Sequence, residues 1–488
     1  MVGFLYRTHG KAGITDGCEK KFCGGCNLAV LPFLKPINMI TKRHKYQLPE
    51  GYSLLQCILR ARAFLKDPVK WISNNMDRFG GTYTAAIGFK RKLILTQHPG
   101  FISHVLKENH KNYQKSTIST DAGATYLGNG ILFSNGAFWL QQRRLIQPAF
   151  HREKLQALQF VIIKTIKESI EKCPTGNAVD IYPFVHSVSF QVLLRSIFDI
   201  PLSPDTFREI TGLFGNIQEF LFTDTNQPAR RLLYPFTGER RSTARKTQRL
   251  RSIIRDVIHQ RKSSGESKGD LLDMLLNSTY EDTGESMGEE QIINELVVLI
   301  FAGHETTANT LCWLLYLLTS HPPVLQQLQA DLIETSLPDA LTNERLKATI
   351  SEAMRLYPAA WMTERVTLAA DSFGPYTFPA GTIIIPFFYG LHRNEQLWEN
   401  ASLFNPERFM HSEKTAWAGH YFPFGAGPRM CVGNHFAMAE MCFFLHAFLT
   451  TFQLQSTGHV PSMKALISLR PDKVILNIKK RVLDKAAV

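Results

Sequence analysis

FGAGPRMCVG, residues 424–433, is the stretch on which the reading of the chain turns. It gathers a phenylalanine, three glycines, a proline and an arginine around one cysteine, and the helical periodicity of Asn434 to Phe448 begins directly after it. Glycines let the backbone pass close to a flat partner and turn its amides toward the Cys431 sulfur. A thiol just before a helix meets exposed N–H groups and the positive dipole end, which lower its pKa and favour a ligand over an inert thiol. Arg429 can carry a permanent charge to an anionic group, and Phe424 can screen the sulfur from water. A lone cysteine after a turn is ordinarily plain core, as Cys442 with its apolar neighbours is read, so Cys431 is decided by the rest of the chain.

AGHETTAN, residues 302–309, lies inside the longest helical pattern, 288–319. Ser286 and Glu289 form a capping box before it, and roughly 32 helical residues reach about 48 Å, enough to cross a domain. Gly303 and the pair Thr306 and Thr307 are poor helix formers in an otherwise strong helix, and a local rule broken in such a place points to function. A threonine hydroxyl here can bond to the Ala302 carbonyl or release it and open a groove for a ligand or water. Glu305 offers a carboxylate able to exchange protons with solvent.

Two further pairs stand at helical spacing. Glu352 and Arg355 share one face before the breaker Pro358; alone, such a pair is usually a surface ion pair worth little. Trp139 and Arg143, in WLQQRRLIQPAFH, are one turn apart, and an indole N–H beside a guanidinium suits a carboxylate.

Together these segments resemble the cytochrome P450 family. Phe424, Gly427, Arg429, Cys431 and Gly433 match its haem-binding loop, 302–309 its oxygen-activating helix, and Glu352, Arg355 and Arg408 (in Pro406-Glu407-Arg408-Phe409) its buried Glu-Arg-Arg cluster. The resemblance runs from about 50 to 485. It implies a mainly α fold with a minor β-sheet region, haem b lying between the long central helix and the cysteine-loop helix, and Cys431 as iron ligand. It also implies haem-propionate contacts from Trp139, Arg143, Arg429 and Arg365, a proton-delivering pair in Glu305 and Thr306, and a scaffold in Glu352, Arg355 and Arg408. The implied reaction is insertion of one oxygen atom from O2 into a hydrophobic substrate, in a soluble enzyme of bacterial type. Phe301, Ala302, Ala360, Met362 and a loop from Thr117 to Leu132 would line the substrate pocket, with a fatty-acid or other lipid-like chain as first candidate. Some fatty-acid relatives esterify their haem through a glutamate where Ala302 stands; Ala302 cannot. A haem-thiolate sensor or carrier, and a peroxide-driven or isomerase-type enzyme on the same fold, are the alternatives; the Glu305 and Thr306 pair speaks against the latter.

Helical periodicity is expected over 137–147, 152–172, 184–199, 204–222, 238–262, 288–319, 322–335, 343–356 and 433–450. A hairpin is expected over 82–96 and short strands near 376–385 and 465–479, giving a minor sheet built from both ends of the chain. The 488 residues contain no repeat or linker after residue 70, so residues 46–488 read as one oxygenase domain behind a basic, flexible extension, 1–45.

The net charge is +13, and residues 1–45 supply eight Lys/Arg against Asp16 and Glu19. The second basic cluster, Arg240 to Lys262, carries apolar Leu250, Ile253, Ile254, Val257 and Ile258 along one side and reads as a solvated helix face rather than a nucleic-acid surface. Leu28 to Ile40 is interrupted by Pro32, Lys35, Pro36 and Asn38, so neither a membrane anchor nor a signal peptide is expected. Eight cysteines at this length do not make a disulfide framework, which favours a cytoplasmic setting. Cys18, Cys23 and Cys26, with Cys57 beyond, imitate a ferredoxin spacing; a disordered tail is expected there ahead of an iron–sulfur site or a zinc or other metal site. With only 38 residues after position 450, electrons are expected from a separate ferredoxin or flavodoxin and its reductase, and a monomer is expected.

Overall fold

The stretch Glu289–Ser320 is apolar on almost every side, and a helix of that kind is stable only when protein surrounds it. In the computed structural model, which describes residues 46–87, 91–199, 203–280, 284–410 and 417–481, it is one continuous 32-residue helix, with Ile292, Leu296, Leu311, Trp313 and Leu318 buried around it. Helix Tyr182–Phe198 packs along one flank and the cysteine-loop helix, Asn434–Thr451, along another. The apolar segment Leu311 to Leu318 and Cys442 both lie in this main core. The remaining expected helices appear within a few residues of their predicted bounds, as Gly136–Ile146, Arg152–Ile170, Pro204–Asn226, Glu239–Ser264, Pro322–Glu334 and Glu344–Leu356.

Three expectations are corrected. No capping box opens the central helix: Gly288 is its N-cap, and Ser286 is taken by a bridge to Thr279. Residues expected as a loop from Thr117 to Leu132 form helix Thr117–Leu127, capped by the Ser116 hydroxyl on the Ile118 N–H and ended by Gly128 at φ +96°. A threonine-rich stretch hides this helix from propensity, but its cap and its glycine stop were readable.

The sheet, third, is not shared by the two chain ends. The hairpin Thr82–Ile87 and Arg91–Thr96 joins Gly51–Tyr52, Ile383–Pro386, Arg365–Thr367 and Tyr113–Gln114 in a six-stranded sheet. Strand Ile475–Lys480 instead pairs with Phe452–Ser456 and Gly176–Asp180 in a separate three-stranded sheet. The β-branched residues of 383–385 pair in parallel with 93–95 and are buried or half-buried, which fixes their register with the hairpin.

Residues 46–481 as described belong to one unit; the expected extension with Cys18, Cys23 and Cys26 lies outside the described residues. Among the described residues no helix is long and apolar enough to cross a membrane, and no cluster of three or more metal-ligating side chains occurs. Cys57 sits in helix Leu54–Lys66 with its thiol against the Tyr52 carbonyl. The basic helix Glu239–Ser264 pairs its cations with acids, Arg249 with Glu209, Arg251 and Arg255 with Glu290, and Lys262 with Glu289.

Candidate active site

The cysteine loop is held from below by the Glu-Arg pair. Arg355 donates from Nε and Nη2 to both Glu352 oxygens at 2.7 and 2.8 Å, and both side chains are 0% exposed. Its remaining N–H groups reach the carbonyls of His392 and Ala401 at 2.7 Å and of Leu403 at 3.1 Å. Arg408 approaches the Glu352 carboxylate at 3.4 Å, and the Asn405 N–H donates to it at 2.9 Å. The cluster then continues into the loop. The His392 Nε2 accepts the Phe422 N–H at 2.9 Å, and the Tyr421 hydroxyl donates to the Ser351 carbonyl at 2.8 Å. Burial pushes the His392 ring down to about 3, so it stays neutral and keeps Nε2 as an acceptor. His392 and Tyr421 were missed in the sequence because only the fold brings them to the cluster.

Two backbone features shape the loop itself. Gly427 has φ +69°, and a Cβ there would lie 1.8 Å from the Leu106 carbonyl oxygen, so only glycine fits. The Cys431 N–H donates to the Phe424 carbonyl at 2.9 Å, which places Phe424 against the cysteine backbone. Cys431 is exposed to a water-sized sphere although protein surrounds it closely enough to push its thiol pKa up by burial. The Gly433 N–H and the Arg143 charge pull in the expected direction but are outweighed.

Around this thiol the fold collects cations. Arg143 donates to the Met430 carbonyl at 2.8 Å and to Gln147 at 3.0 Å. The Trp139 ring lies 4.2 Å beneath the Arg429 guanidinium, which donates to the Ser134 carbonyl and to Asn135 at 2.9 Å each. Arg365 is buried on its strand and donates to the Glu364 carbonyl at 2.7 Å. Lys115, which sequence reasoning missed, joins them. Burial lowers its ammonium to about 7, with Arg365 and Arg429 adding to the effect. Burial, then Arg365, likewise lowers Arg429 to about 9. Glu364 is the carboxylate that bears on these groups among the described residues, and it is already bonded to the Ser116 N–H and the Ser119 hydroxyl. A cavity of about 230 Å³ is lined by Trp139, Arg365 and Arg429 together. Half-buried and buried cations in such excess suit a ligand with more than one anionic group. An accessible thiol beside cations suited to two carboxylates fits a haem with its propionates.

On the central helix, the Thr306 hydroxyl donates to the Ala302 carbonyl at 3.1 Å, and Thr307 bonds likewise to Gly303 at 3.2 Å. Glu305 is buried, and Gln218 of helix Pro204–Asn226 donates to its carboxylate. Phe301 is buried and meets Phe133 at a ring separation of 6.5 Å, next to segment 117–132. Ala302 and Met362 are half-buried and Ala360 is exposed. Met362 packs with the cluster of Trp361 and Phe387 against the six-stranded sheet.

These features agree with the comparisons. The family model described as Cytochrome P450 matches residues 47–478. The chain is 31% identical over 401 residues to a cyclooctat-9-en-7-ol 5-monooxygenase of Streptomyces melanosporofaciens, covering 80% of this chain and 86% of that protein. It is 27% identical to a pentalenene oxygenase of Streptomyces avermitilis, over 73% and 80% of the two chains. The crystal structure of the cytochrome P450DA haem domain superposes with a TM-score of 0.79 at 21% identity, over 89% of this chain and 97% of that one, and supports the fold. The chain belongs to the cytochrome P450 family of haem-thiolate monooxygenases.

Proposed function

We propose that this chain inserts one oxygen atom from O2 into a C–H bond or double bond of a hydrophobic substrate, with haem b held through Cys431. The observation that carries the reading is the turn of the central helix where Thr306 bonds back to Ala302 beside the buried Glu305. When bound, a thiolate-ligated haem supplies O2 binding and reductive activation. The chain's own residues do the rest. Arg143, Arg365, Arg429 and Lys115 hold the two carboxylates, with Trp139 stacked beneath Arg429. Glu352, Arg355, Arg408, His392 and Tyr421 keep the cysteine loop in place. Thr306 releases the Ala302 carbonyl to hold a water, and Glu305, gated by Gln218, supplies the proton. That pair favours O2 over peroxide-driven or isomerase chemistry, which needs no proton relayed to bound oxygen.

Phe301, Ala302, Ala360, Met362 and helix Thr117–Leu127 make the substrate contacts in this reading. The two named relatives act on an alkenol and an alkene by their names, so hydrocarbon-like alkenes and alcohols stand beside fatty acids as candidate substrates. Exposed Lys107 and Lys111, close to the loop, suit an acidic ferredoxin or flavodoxin with its reductase. The working unit is a cytoplasmic monomer in which residues 46–488 act as the oxygenase domain and 1–45 as a basic extension. The test is reconstitution with such a donor under isotopically labelled O2, using compounds chosen by a low-spin to high-spin shift. One labelled oxygen per product is expected. Turnover that needs peroxide and no donor, or unlabelled product, refutes the reading.

A further inference from the structure

The turn from Gly128 to Asn135 joins helix Thr117–Leu127 to helix Gly136–Ile146. Buried backbone N–H groups in such a turn need acceptors that no ladder supplies. Those of Phe133 and Ser134 both point to the Gly130 carbonyl, at 3.0 Å each. The Ile131 N–H instead donates to the Glu295 carboxylate of the central helix, at 2.8 Å. The second Glu295 oxygen accepts from the Gln291 side chain at 2.7 Å, and the same amide group reaches the Asn129 carbonyl at 3.3 Å. Gln291 and Glu295 stand four apart and so share one helix face. The turn lies hard against that face, since a Cβ on Gly130 would stand 2.9 Å from a Glu295 carboxylate oxygen and from Val298.

Glu295 is 0% exposed, and the groups that bear on its carboxyl are the Ile131 and Gln291 donors. Burial pushes it up to about 7 against the pull of those two donors. Arg251, on the facing basic helix, is taken by Asn294 and Glu290. A buried carboxyl is costly where an apolar side chain would pack without penalty, and what this one supplies is the acceptor for the turn. The far end of the turn is fixed separately. The Ser134 carbonyl and the Asn135 side chain accept from Arg429 at 2.9 Å each, and Asn135 exchanges two hydrogen bonds with the Lys115 backbone at 3.0 and 3.1 Å. Phe133 lies between the two anchors. Its ring fills the place a side chain on Gly123 would take, with a ring carbon 2.1 Å from such a Cβ, and its centre is 6.5 Å from that of Phe301. Phe301 follows Glu295 by six positions and precedes Ala302 directly.

We propose that Glu295 is a positioning residue for substrate selection: by holding the Ile131 N–H it fixes the turn so that Phe133 stands as a wall between helix Thr117–Leu127 and Phe301 and meets the apolar part of the substrate. Phe133 as a substrate wall rests on the function proposed above, whereas the bond from Ile131 to Glu295 is tested apart from it.

The experiment pairs residue-resolved amide hydrogen–deuterium exchange with the binding of imidazole and 4-phenylimidazole to the haem-loaded full chain, followed by difference spectra. In the wild type the Ile131 amide should be protected, although its acceptor is a side chain. Glu295→Leu should speed its exchange about tenfold, the scale of one hydrogen bond to a buried carboxylate. Glu295→Gln keeps an acceptor and should stay near the wild type. 4-Phenylimidazole should bind about tenfold more weakly to Glu295→Leu and to Phe133→Ala, the scale of one lost aromatic contact, and should bind Glu295→Gln as it binds the wild type. Imidazole, with no phenyl ring to meet Phe133, should bind all four chains alike. An unprotected Ile131 amide in the wild type overturns the proposal without any variant, so it remains decidable even if Glu295→Leu fails to hold haem. It is equally overturned if Glu295→Leu binds 4-phenylimidazole as the wild type does, or if Phe133→Ala does. Failure of imidazole to bind the wild type would instead refute the haem site, and the exchange result would still judge the Glu295 bond.

Discussion

Replacing Arg355 by methionine keeps most of the side-chain length and removes the guanidinium that ties Glu352, His392, Ala401 and Leu403 together. Five hydrogen bonds of 2.7 to 3.1 Å disappear. Glu352, 0% exposed, is left with the Asn405 N–H and the more distant Arg408. Removing one partner of a buried ion pair costs about 3–5 kcal/mol because the other charge is stranded. Domain stabilities are about 5–15 kcal/mol, so the variant should be severely weakened and should shed haem as the His392 link to the Phe422 N–H loosens. Guanidinium unfolding of purified protein measures the loss. Adding Glu352→Gln neutralises the stranded carboxylate and should return about 1–3 kcal/mol, the penalty for a buried unsatisfied group. A loss below about 1 kcal/mol in the single variant, or a double variant no more stable than the single one, would refute the reasoning.

Other outcomes follow from the same geometry. Gly427→Ala should abolish haem retention, since its Cβ would meet the Leu106 carbonyl, whereas Gly425→Ala, with open space around it at φ +71°, should cost only about 1 kcal/mol of left-handed strain, read as a small fall in Tm. Arg429→Leu should speed haem loss to a competing apoprotein about 10- to 100-fold, the worth of a charge-assisted hydrogen bond; an unchanged rate would remove Arg429 from the set of propionate partners. Thr306→Ala should hold haem but release most of the reducing equivalents as peroxide, and unaltered coupling would count against its role in proton delivery. Glu440 keeps in the fold a proton that the unfolded chain gives up near 4.5, so its stabilisation is complete below about pH 4.5 and is lost as pH rises toward 8. Glu440→Gln removes that dependence, and its Tm relative to wild type should climb from about pH 5 to about pH 8; parallel curves would contradict the buried, protonated acid.

The long helices were legible because their apolar residues recur every three to four positions, and the central helix could be bounded to within a residue or two. The capping box at Ser286 misled because a hydroxyl three residues before a glutamate says nothing about what else claims that serine, here the bridge to Thr279. Cys431, Thr306, Glu352 and Arg355 stood out through motif and spacing. Lys115, Glu364, His392 and Glu295 did not, since each acts through contacts far apart in the chain, such as 30 residues between His392 and Phe422. The Glu305 motif was legible, but its contact with Gln218 depends on the packing of helix Pro204–Asn226.

The most direct test of the central claim is the carbon monoxide spectrum of the reduced protein. Wild type and Cys442→Ala should both give the red-shifted band of thiolate-ligated haem, because Cys442 is fully buried in the apolar core. Cys431→Ala, with its far-ultraviolet circular dichroism unchanged, should lose that band. A thiolate band that survives in Cys431→Ala, or one that disappears in Cys442→Ala with the fold intact, would contradict the assignment of Cys431 as the axial ligand.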